Sequence, residues 1–274
     1  MGEIHVVGSE GREQSPTSQT LDRAMQLVRL ISTARHAGLA LSELVRAGGM
    51  TKPTTRRLLI SLIGNGLVVQ DPQSRRYFLG LDIYMLGVIA AERYGIQSLA
   101  SESLLNIAAA SCDAALLCVQ RDMEWVCLAR EEGTYPLRSH VLQPGARHPL
   151  GAGAAGMALL AAMSDDDVEA VLAKNGRQLT EHYPGHSVEA VRRQLVETRR
   201  NGYSLNAGYV FSGSWGMAVA LRDERSGLCA ALTIAGVEGR FSGDRVNELA
   251  QLLYREKAKL EQLLKRSGSL SHIA

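Results

Sequence analysis

The apolar residues in the first third of the chain recur at the spacing of three helices and a short hairpin. Between residues 21 and 31 they fall three or four positions apart, which places them on one face of an amphipathic helix. A second, short helix follows Ser42, a residue type that caps helix N-termini, and a third begins at Pro53, whose missing N–H costs nothing in a first helical turn. Residues 68–79 then read as two strands around a turn. This order of elements predicts a winged helix-turn-helix over residues 18–80.

The polar side of the third helix and the turn of the hairpin carry residues suited to duplex DNA. Short hydroxyl side chains and guanidinium groups near a helix N-terminus match the base edges and phosphates of a major groove, and arginines in a wing reach phosphates or a minor groove. We expect Thr54, Thr55 and Arg56 to contact bases, and the remaining arginines to contact phosphates. The full set of predicted DNA-binding residues is Lys52, Thr54, Thr55, Arg56, Arg57, Arg75 and Arg76.

The distribution of charge supports this interpretation. Residues 17–80 contain nine Lys and Arg against three Asp and Glu, a net charge of +6, whereas the whole chain carries only +2. An excess of positive charge confined to one segment is typical of a DNA-binding domain attached to a domain of another kind. The alternative is a small three-helix module that binds protein and whose basic face is merely solvated. The hairpin favours the DNA-binding interpretation.

The remaining chain predicts a helix followed by a mixed α+β domain. Residues 81–97 continue from the hairpin with an apolar helical pattern, so we expect a linker helix that could pair with a copy from a second subunit. Helical and alternating segments follow one another over residues 98–266, which predicts an α+β domain. The polar segments 1–17 and 267–274 are expected to be disordered tails.

The composition bounds the location and the chemistry of the protein. With 46% hydrophobic and 21% charged residues, the chain is typical of a water-soluble protein. No segment reaches the ~18–20 apolar residues that span a bilayer, and the N-terminal segment lacks the apolar centre of a signal peptide. The four cysteines, at positions 112, 118, 127 and 229, show no C-x-x-C spacing. We expect a cytoplasmic protein with reduced cysteines in its core, no metal site and no cofactor.

One glycine-rich segment matches a nucleotide-binding pattern by its letters alone. Residues 151–156 read G-A-G-A-A-G, as in the dinucleotide pattern G-x-G-x-x-G. That pattern needs a strand directly before it and a βαβ unit around it, whereas here Pro144 and Pro149 precede it and no such unit follows. The small residues more simply let a helix begin close to a cavity, where its N-terminus could attract an anion.

The sequence offers no convincing catalytic arrangement. Residues 212–216 read S-G-S-W-G, which lacks the first glycine of a nucleophile elbow, and nothing groups a serine, a histidine and an acid. Two alternatives to a regulator remain: a small-molecule enzyme domain fused to a basic DNA- or protein-binding module, and a structural nucleoid protein without a ligand. A nucleophile–base pair would favour the first. Sequence-independent DNA binding without a response to ligands would favour the second.

Several segments together resemble the IclR family of bacterial transcriptional regulators, from about residue 18 to residue 264. Each segment alone is weak evidence, but their order and spacing are specific. The matching segments include T-L-D-R-A at 20–24, T-T-R-R-L-L at 54–59, Y-F-L-G-L at 77–81, G-M-A-L-L-A at 156–161 and A-A-L-T-I-A-G at 230–236.

This resemblance implies an architecture and a set of partners. The fold would be a winged helix-turn-helix joined by a linker helix to a GAF-like α/β domain that binds a small-molecule effector. The partners would be double-stranded operator DNA, the effector, and further copies of the chain in a homodimer or a dimer of dimers. Effectors in the family are commonly small organic acids or aromatic compounds of catabolic pathways.

The chain departs from the family pattern at its predicted pocket. Asn206 stands where many members have an acidic residue, residues 208–209 are Gly-Tyr where many have Glu-Glu, and Gly216 stands where many have Cys. These differences remove charge and volume and leave room for a ring. Arg138, Arg147 or His148 could meet a carboxylate if they point inward; the alternative is that the two arginines are solvated surface residues. We therefore expect a regulator of a catabolic operon whose effector is an aromatic organic acid. The predicted effector-binding residues are Leu150, Ala154, Ala155, Asn206, Ser214, Trp215, Gly216, Thr233, Ala235, Arg138 and His148.

Overall fold

The computed structural model describes residues 18–270 except 138–141, 184 and 224–226. The predicted N-terminal tail, residues 1–17, lies outside the described residues. Contacts between residues divide the chain into two units, one ending at Ile89 and the other beginning at Ala90. No helix in the described part of the chain is long and apolar enough to cross a membrane.

The described residues of the first unit include three α-helices and a two-stranded antiparallel hairpin, in the predicted order. Buried Leu27, Val28 and Ile31 of the first helix pack with apolar side chains of the other two helices and the hairpin in one core. The prediction of a winged helix-turn-helix is therefore confirmed. The elements are α1 (Gln19–Thr33), a 3-10 helix (Arg35–Ala37), α2 (Leu41–Gly48), α3 (Lys52–Gly64), β1 (Val68–Gln70) and β2 (Tyr77–Leu79).

Local hydrogen bonds set the start of α3 and the position of the hairpin. Thr51 caps α3, because its Oγ1 accepts a hydrogen bond from Thr54 N at 3.4 Å, and Pro53 lies in the first turn. Leu39 and Tyr77 exchange two backbone hydrogen bonds, of 3.1 and 2.8 Å. The segment before α2 is thereby paired with β2, which fixes the hairpin beside the helices.

The second unit covers both faces of a six-stranded antiparallel sheet with helices. The strands are β3 (Ala114–Arg121), β4 (Glu124–Glu131), β5 (Arg147–Pro149), β6 (Ser204–Phe211), β7 (Ser214–Arg222) and β8 (Cys229–Val237); the helices are α5 (Ile96–Ser111), α6 (Gly153–Ala161), α7 (Asp165–His182), α8 (Val188–Asn201), a 3-10 helix (Glu238–Arg240) and α9 (Asp244–Leu270). The strand order is β5-β4-β3-β8-β7-β6. The boundary between the two units falls within α4 (Leu81–Tyr94).

The central strand β8 shows how the two faces are covered. Leu232 and Ile234 pack with residues of α5 and α9, while Ala231 and Ala235 face the side covered by α6, α7 and α8. A strand buried on both faces reads as a nearly continuous apolar run, as this segment does. Thr233 is the polar exception, and it lies on the α6 side.

Two predicted boundaries differ from the structure. The predicted linker, residues 81–97, contains α4 and the start of a separate helix, because Gly95 stands between α4 and α5. Helix α9 runs to Leu270 and so extends into the predicted tail at residues 267–274. Both errors arise because the ends of helices leave weaker signals than their apolar faces.

Candidate functional site

A cavity, called here the α6 cavity, lies between the start of α6 and the sheet. Its enclosed volume is about 30 Å³, and the volume is about 410 Å³ when the part open to solvent is included. The lining residues are Trp125, Leu142, Gly153, Ala154, Ala155, Asn206, Val210, Phe211, Ser214, Trp215, Gly216, Thr233 and Ala235.

The indole of Trp125 closes the cavity on the β4 side. The side chain is buried, and its Nε1 donates a hydrogen bond to Ala152 O at 2.9 Å. Gly156 permits this position, because a Cβ there would lie 2.7 Å from Trp125 Nε1. Gly153, with φ +69°, allows the turn into α6. The glycines of the G-x-G-x-x-G segment thus let α6 begin close to the cavity, as the sequence predicts.

Two buried polar atoms in the cavity wall have no hydrogen-bond partner among the described residues: Asn206 Oδ1 and Thr233 Oγ1. Burial raises the pKa of the Cys118 thiol, and a side-chain interaction with the Thr233 hydroxyl lowers it. In contrast, Ser204 Oγ, also buried, donates to Ala154 O at 2.7 Å. Because an unsatisfied buried polar atom costs about 1–3 kcal/mol, the two orphaned atoms call for an explanation.

Eight of the eleven predicted effector-binding residues line the cavity. Leu150 does not, because it is fully buried and packs in the core beneath α7. Arg138 lies outside the described residues. The eight are Ala154, Ala155, Asn206, Ser214, Trp215, Gly216, Thr233 and Ala235.

The predicted role of His148 needs correction, because its ring stands behind Trp125 and not in the cavity wall. The two rings stack with centroids 4.9 Å apart, and His148 Nδ1 lies 3.1 Å from Tyr183 Oη. Burial lowers the pKa of His148, and the carboxylate of Glu124 opposes this only in part. The imidazole is therefore favoured in its neutral form at neutral pH, which is unsuited to pairing with an effector carboxylate.

Five lining residues were not among the predicted effector-binding residues: Trp125, Leu142, Gly153, Val210 and Phe211. Trp215, which was predicted, lines the cavity together with Trp125, and its ring also lies 6.4 Å from that of Phe241 and packs against the core formed with α5 and α9. A signal for Trp125 existed in β4, where Trp125 and Cys127 alternate toward one buried face. That alternation does not show which helix covers the face.

The first unit presents a cationic surface along α3 and the hairpin turn. Lys52, Arg56 and Arg57 are exposed on α3, and Arg75 is exposed at the turn, where its φ is +58°. Lys52, Arg56 and Arg75 line one groove between α2, α3 and the hairpin. Thr54 is partly buried, and its hydroxyl lies 2.9 Å from that of the capping residue.

Two predicted DNA-binding residues make hydrogen bonds within the first unit. Thr55 is fully buried and its Oγ1 donates to Thr51 O at 3.0 Å, so it cannot reach a base edge. Arg76 donates from Nε to Ala37 O at 2.7 Å and from Nη2 to the Glu43 carboxylate at 2.8 Å. These bonds direct the Arg76 guanidinium to α2 and the segment before it, where it ties the hairpin to the helices.

A basic winged helix-turn-helix unit followed by an α/β unit with an apolar cavity has the architecture of a DNA-binding transcriptional regulator. Residues 20–72 match the IclR helix-turn-helix domain, and residues 88–261 match the bacterial transcriptional regulator IclR C-terminal domain. The chain therefore belongs to the IclR family, as the resemblance indicates.

Known proteins of similar sequence and fold agree with this assignment. The transcriptional repressor IclR of Escherichia coli K12 is 26% identical over 239 residues, which cover 86% of each chain. The crystal structure of an IclR transcriptional regulator from Alicyclobacillus acidocaldarius is 24% identical with a TM-score of 0.76, and the match covers 90% of this chain and 98% of that one. An IclR homolog from Microbacterium hydrocarbonoxydans, solved with 4-hydroxybenzoate, is 22% identical with a TM-score of 0.75 and coverage of 90% and 99%. The relatives are named regulators or repressors, not enzymes.

Proposed function

We propose that this IclR-family regulator controls a catabolic operon in response to an aromatic organic acid bound in the α6 cavity. The observation that carries the proposal is the cavity wall, which combines the rings of Trp125 and Phe211, small aliphatic residues and neutral polar side chains. Such a wall suits the faces of a ring. The N-terminal turn of α6 lies at the same cavity, and the positive end of the helix dipole there favours an anionic substituent. The 4-hydroxybenzoate in the Microbacterium homolog, which shares the fold, supports this class of ligand.

The proposed mechanism is a shift of population between conformations that differ in affinity for operator DNA. An effector that binds one conformation more tightly stabilises it, and operator binding is then coupled to effector binding by the same factor in both directions. A ring is larger than the enclosed volume of the α6 cavity, so we expect effector binding and a change in the second unit to occur together.

A homodimer or a dimer of dimers is part of the proposal. Helix α4 leaves large apolar side chains exposed, which indicates a surface that pairs with a second copy. A two-fold dimer would also match the two half-sites of an operator. Light scattering at micromolar concentration should then give two or four times the mass of one chain. The exposed side chains are Leu81, Tyr84, Met85, Leu86, Val88 and Ile89.

The proposed function is tested by fluorescence anisotropy with DNA from upstream of the gene and its neighbours. The titrations are run at two salt concentrations, with and without a panel of aromatic and aliphatic acids. Tight binding to one fragment that an aromatic acid shifts would support the proposal. Weak, salt-sensitive binding to every fragment, unchanged by any acid, would overturn it. If the protein instead converted one of the acids into a product, the result would favour the alternative of an enzyme domain fused to a basic DNA- or protein-binding module.

Replacing Arg56 with alanine is expected to weaken operator binding by about 1–3 kcal/mol, if the guanidinium makes a bidentate contact with a base. Arg56 is exposed, and it lines the groove beside the hairpin. Anisotropy titrations on operator and random DNA measure the effect. Arg193→Ala, on an exposed position of α8 in the other unit, removes the same charge as a control. An equal loss on both DNAs would assign Arg56 to a phosphate.

A further inference from the structure

A large apolar side chain, that of Ile60, lies among the exposed cations of α3. Ile60 is 61% exposed. It follows Arg56 by four residues and Lys52 by eight, so the three side chains share one side of the helix. The buried residues of α3 face the core of the first unit instead. Ile60 is therefore presented to a binding partner together with the two cations.

The same side of α3 forms one wall of the groove between α2, α3 and the hairpin. Lys52, Arg56 and Arg75 contribute three positive charges to this groove, and none of the described residues that line it is acidic. Such a lining complements a polyanion. Because residues 20–72 match the IclR helix-turn-helix domain, duplex DNA is the polyanion that fits the groove. Ile60 and Ile63 give the same groove an apolar part.

The side chain of Ile60 cannot form a hydrogen bond with a base edge or a phosphate. In the major groove, the apolar group on the base edges is the C5 methyl of thymine. The rise of ~1.5 Å per residue places Ile60 about 6 Å beyond Arg56 along the helix axis, roughly the spacing of two base pairs. A helix that brings Arg56 to the bases therefore brings Ile60 to a neighbouring position, where removing both apolar groups from water stabilises the complex.

We propose that Ile60 is a specificity-determining residue, which recognises a thymine of the operator by contact with its C5 methyl group. The predicted DNA-binding residues are all polar or charged, so Ile60 is an addition to them. The contact involves no phosphate, and it therefore increases the preference for the operator over random DNA. The inference concerns operator recognition and does not depend on the effector.

Replacing single thymidines with deoxyuridine tests the proposal, because the replacement removes only the methyl group. The full chain first selects its binding site from a pool of random-sequence duplexes, and fluorescence anisotropy then measures affinity for the selected site and for each substituted copy. At least one replacement is expected to weaken binding about fourfold, which corresponds to the ~0.8 kcal/mol of one buried methylene-sized group. In Ile60→Ala, the same replacement should change affinity by less than about 1.5-fold, because the two changes remove the same contact.

Control variants separate this contact from charge and from folding. Ile60→Ala should fold, because the position is exposed and alanine has the highest helix propensity; circular dichroism checks this. Its affinity should keep the salt dependence of the wild type, since an apolar contact neutralises no phosphate. Arg56→Ala should bind more weakly but keep the effect of deoxyuridine. Val196→Ala, at a position of α8 that is 68% exposed, should change neither property.

Two results would overturn the inference while leaving the proposed response to an aromatic acid intact. The first is that no replacement by deoxyuridine weakens binding of the wild-type chain. The second is that the effect of the replacement persists in Ile60→Ala, or that this variant loses affinity equally for the selected site and for random DNA. A wild-type chain that selects no sequence from the pool would overturn both the inference and the proposed regulator.

Discussion

Replacing Trp125 with alanine is expected to lower the free energy of unfolding of the second unit by about 3–5 kcal/mol, the range for removing a buried large aromatic side chain. Trp125 is 1% exposed, donates a hydrogen bond to Ala152 O and stacks on His148. Gly156 packs directly against the indole and cannot fill the space that alanine would leave. The same change removes one wall of the α6 cavity, so affinity for aromatic acids should fall as well.

Urea unfolding followed by circular dichroism measures this loss of stability. Trp125→Phe serves as the matched variant, because it keeps most of the ring but removes the Nε1 donor and leaves Ala152 O without that partner. Its loss should be smaller, about 1–3 kcal/mol. A loss below about 1 kcal/mol for Trp125→Ala would contradict the role of the indole in packing α6 against the sheet.

Replacing Asp113 with alanine is expected to cost about 3 kcal/mol of stability. The Asp113 carboxylate is 1% exposed and accepts hydrogen bonds from Arg240 Nε at 3.1 Å and Arg245 Nη2 at 2.9 Å. Removing one partner of a buried ion pair costs about 3–5 kcal/mol, because the opposite charge remains unpaired. The lower end applies here, because the two guanidiniums keep 19% and 28% of their exposure and also donate to Ser111 O.

The same unfolding measurement tests the Asp113 cluster. Asp113→Asn keeps the shape of the side chain and removes only the charge, so it separates the ion pair from packing. Glu181→Ala removes a carboxylate from an exposed pair with Arg177 and should change stability little. Equal effects of Asp113→Ala and Glu181→Ala would mean that burial adds nothing to the Asp113 interactions.

Helical periodicity predicted most of the exposed and buried positions of the first unit, but Thr55 was assigned to the wrong face of α3. The apolar stripe of α1 and the exposed cations of α3 follow from helical periodicity alone. Thr55 was misread, although the signal was present. It falls at the spacing of Leu58, Leu59 and Leu62, and all four are buried. A hydroxyl residue at the spacing of the apolar residues of a helix is therefore expected to be buried with them.

Other assignments required contacts that no local pattern contains. From the sequence alone, Arg76 is expected to be an exposed cation of the hairpin. Its hydrogen bond to the Glu43 carboxylate forms only because the fold places the hairpin beside α2. The cavity shows the same limit. Asn206 and Gly216 stand out by their departure from the family pattern, whereas Trp125 becomes part of the wall only because β4 lies beneath α6.

The sequence by itself determined the class of this protein: a basic winged helix-turn-helix, an α+β domain and membership of the IclR family. These follow from periodicity, composition and the order of short segments, which are properties of neighbouring residues. Only the tertiary structure decided which polar groups remain free. Arg76 is bound to α2 and Thr55 is buried, while Asn206 and Thr233 each keep a buried side-chain oxygen that has no hydrogen-bond partner among the described residues. Hydrogen-bond partners and burial depend on segments far apart in the chain, so they are settled by how helices and strands pack.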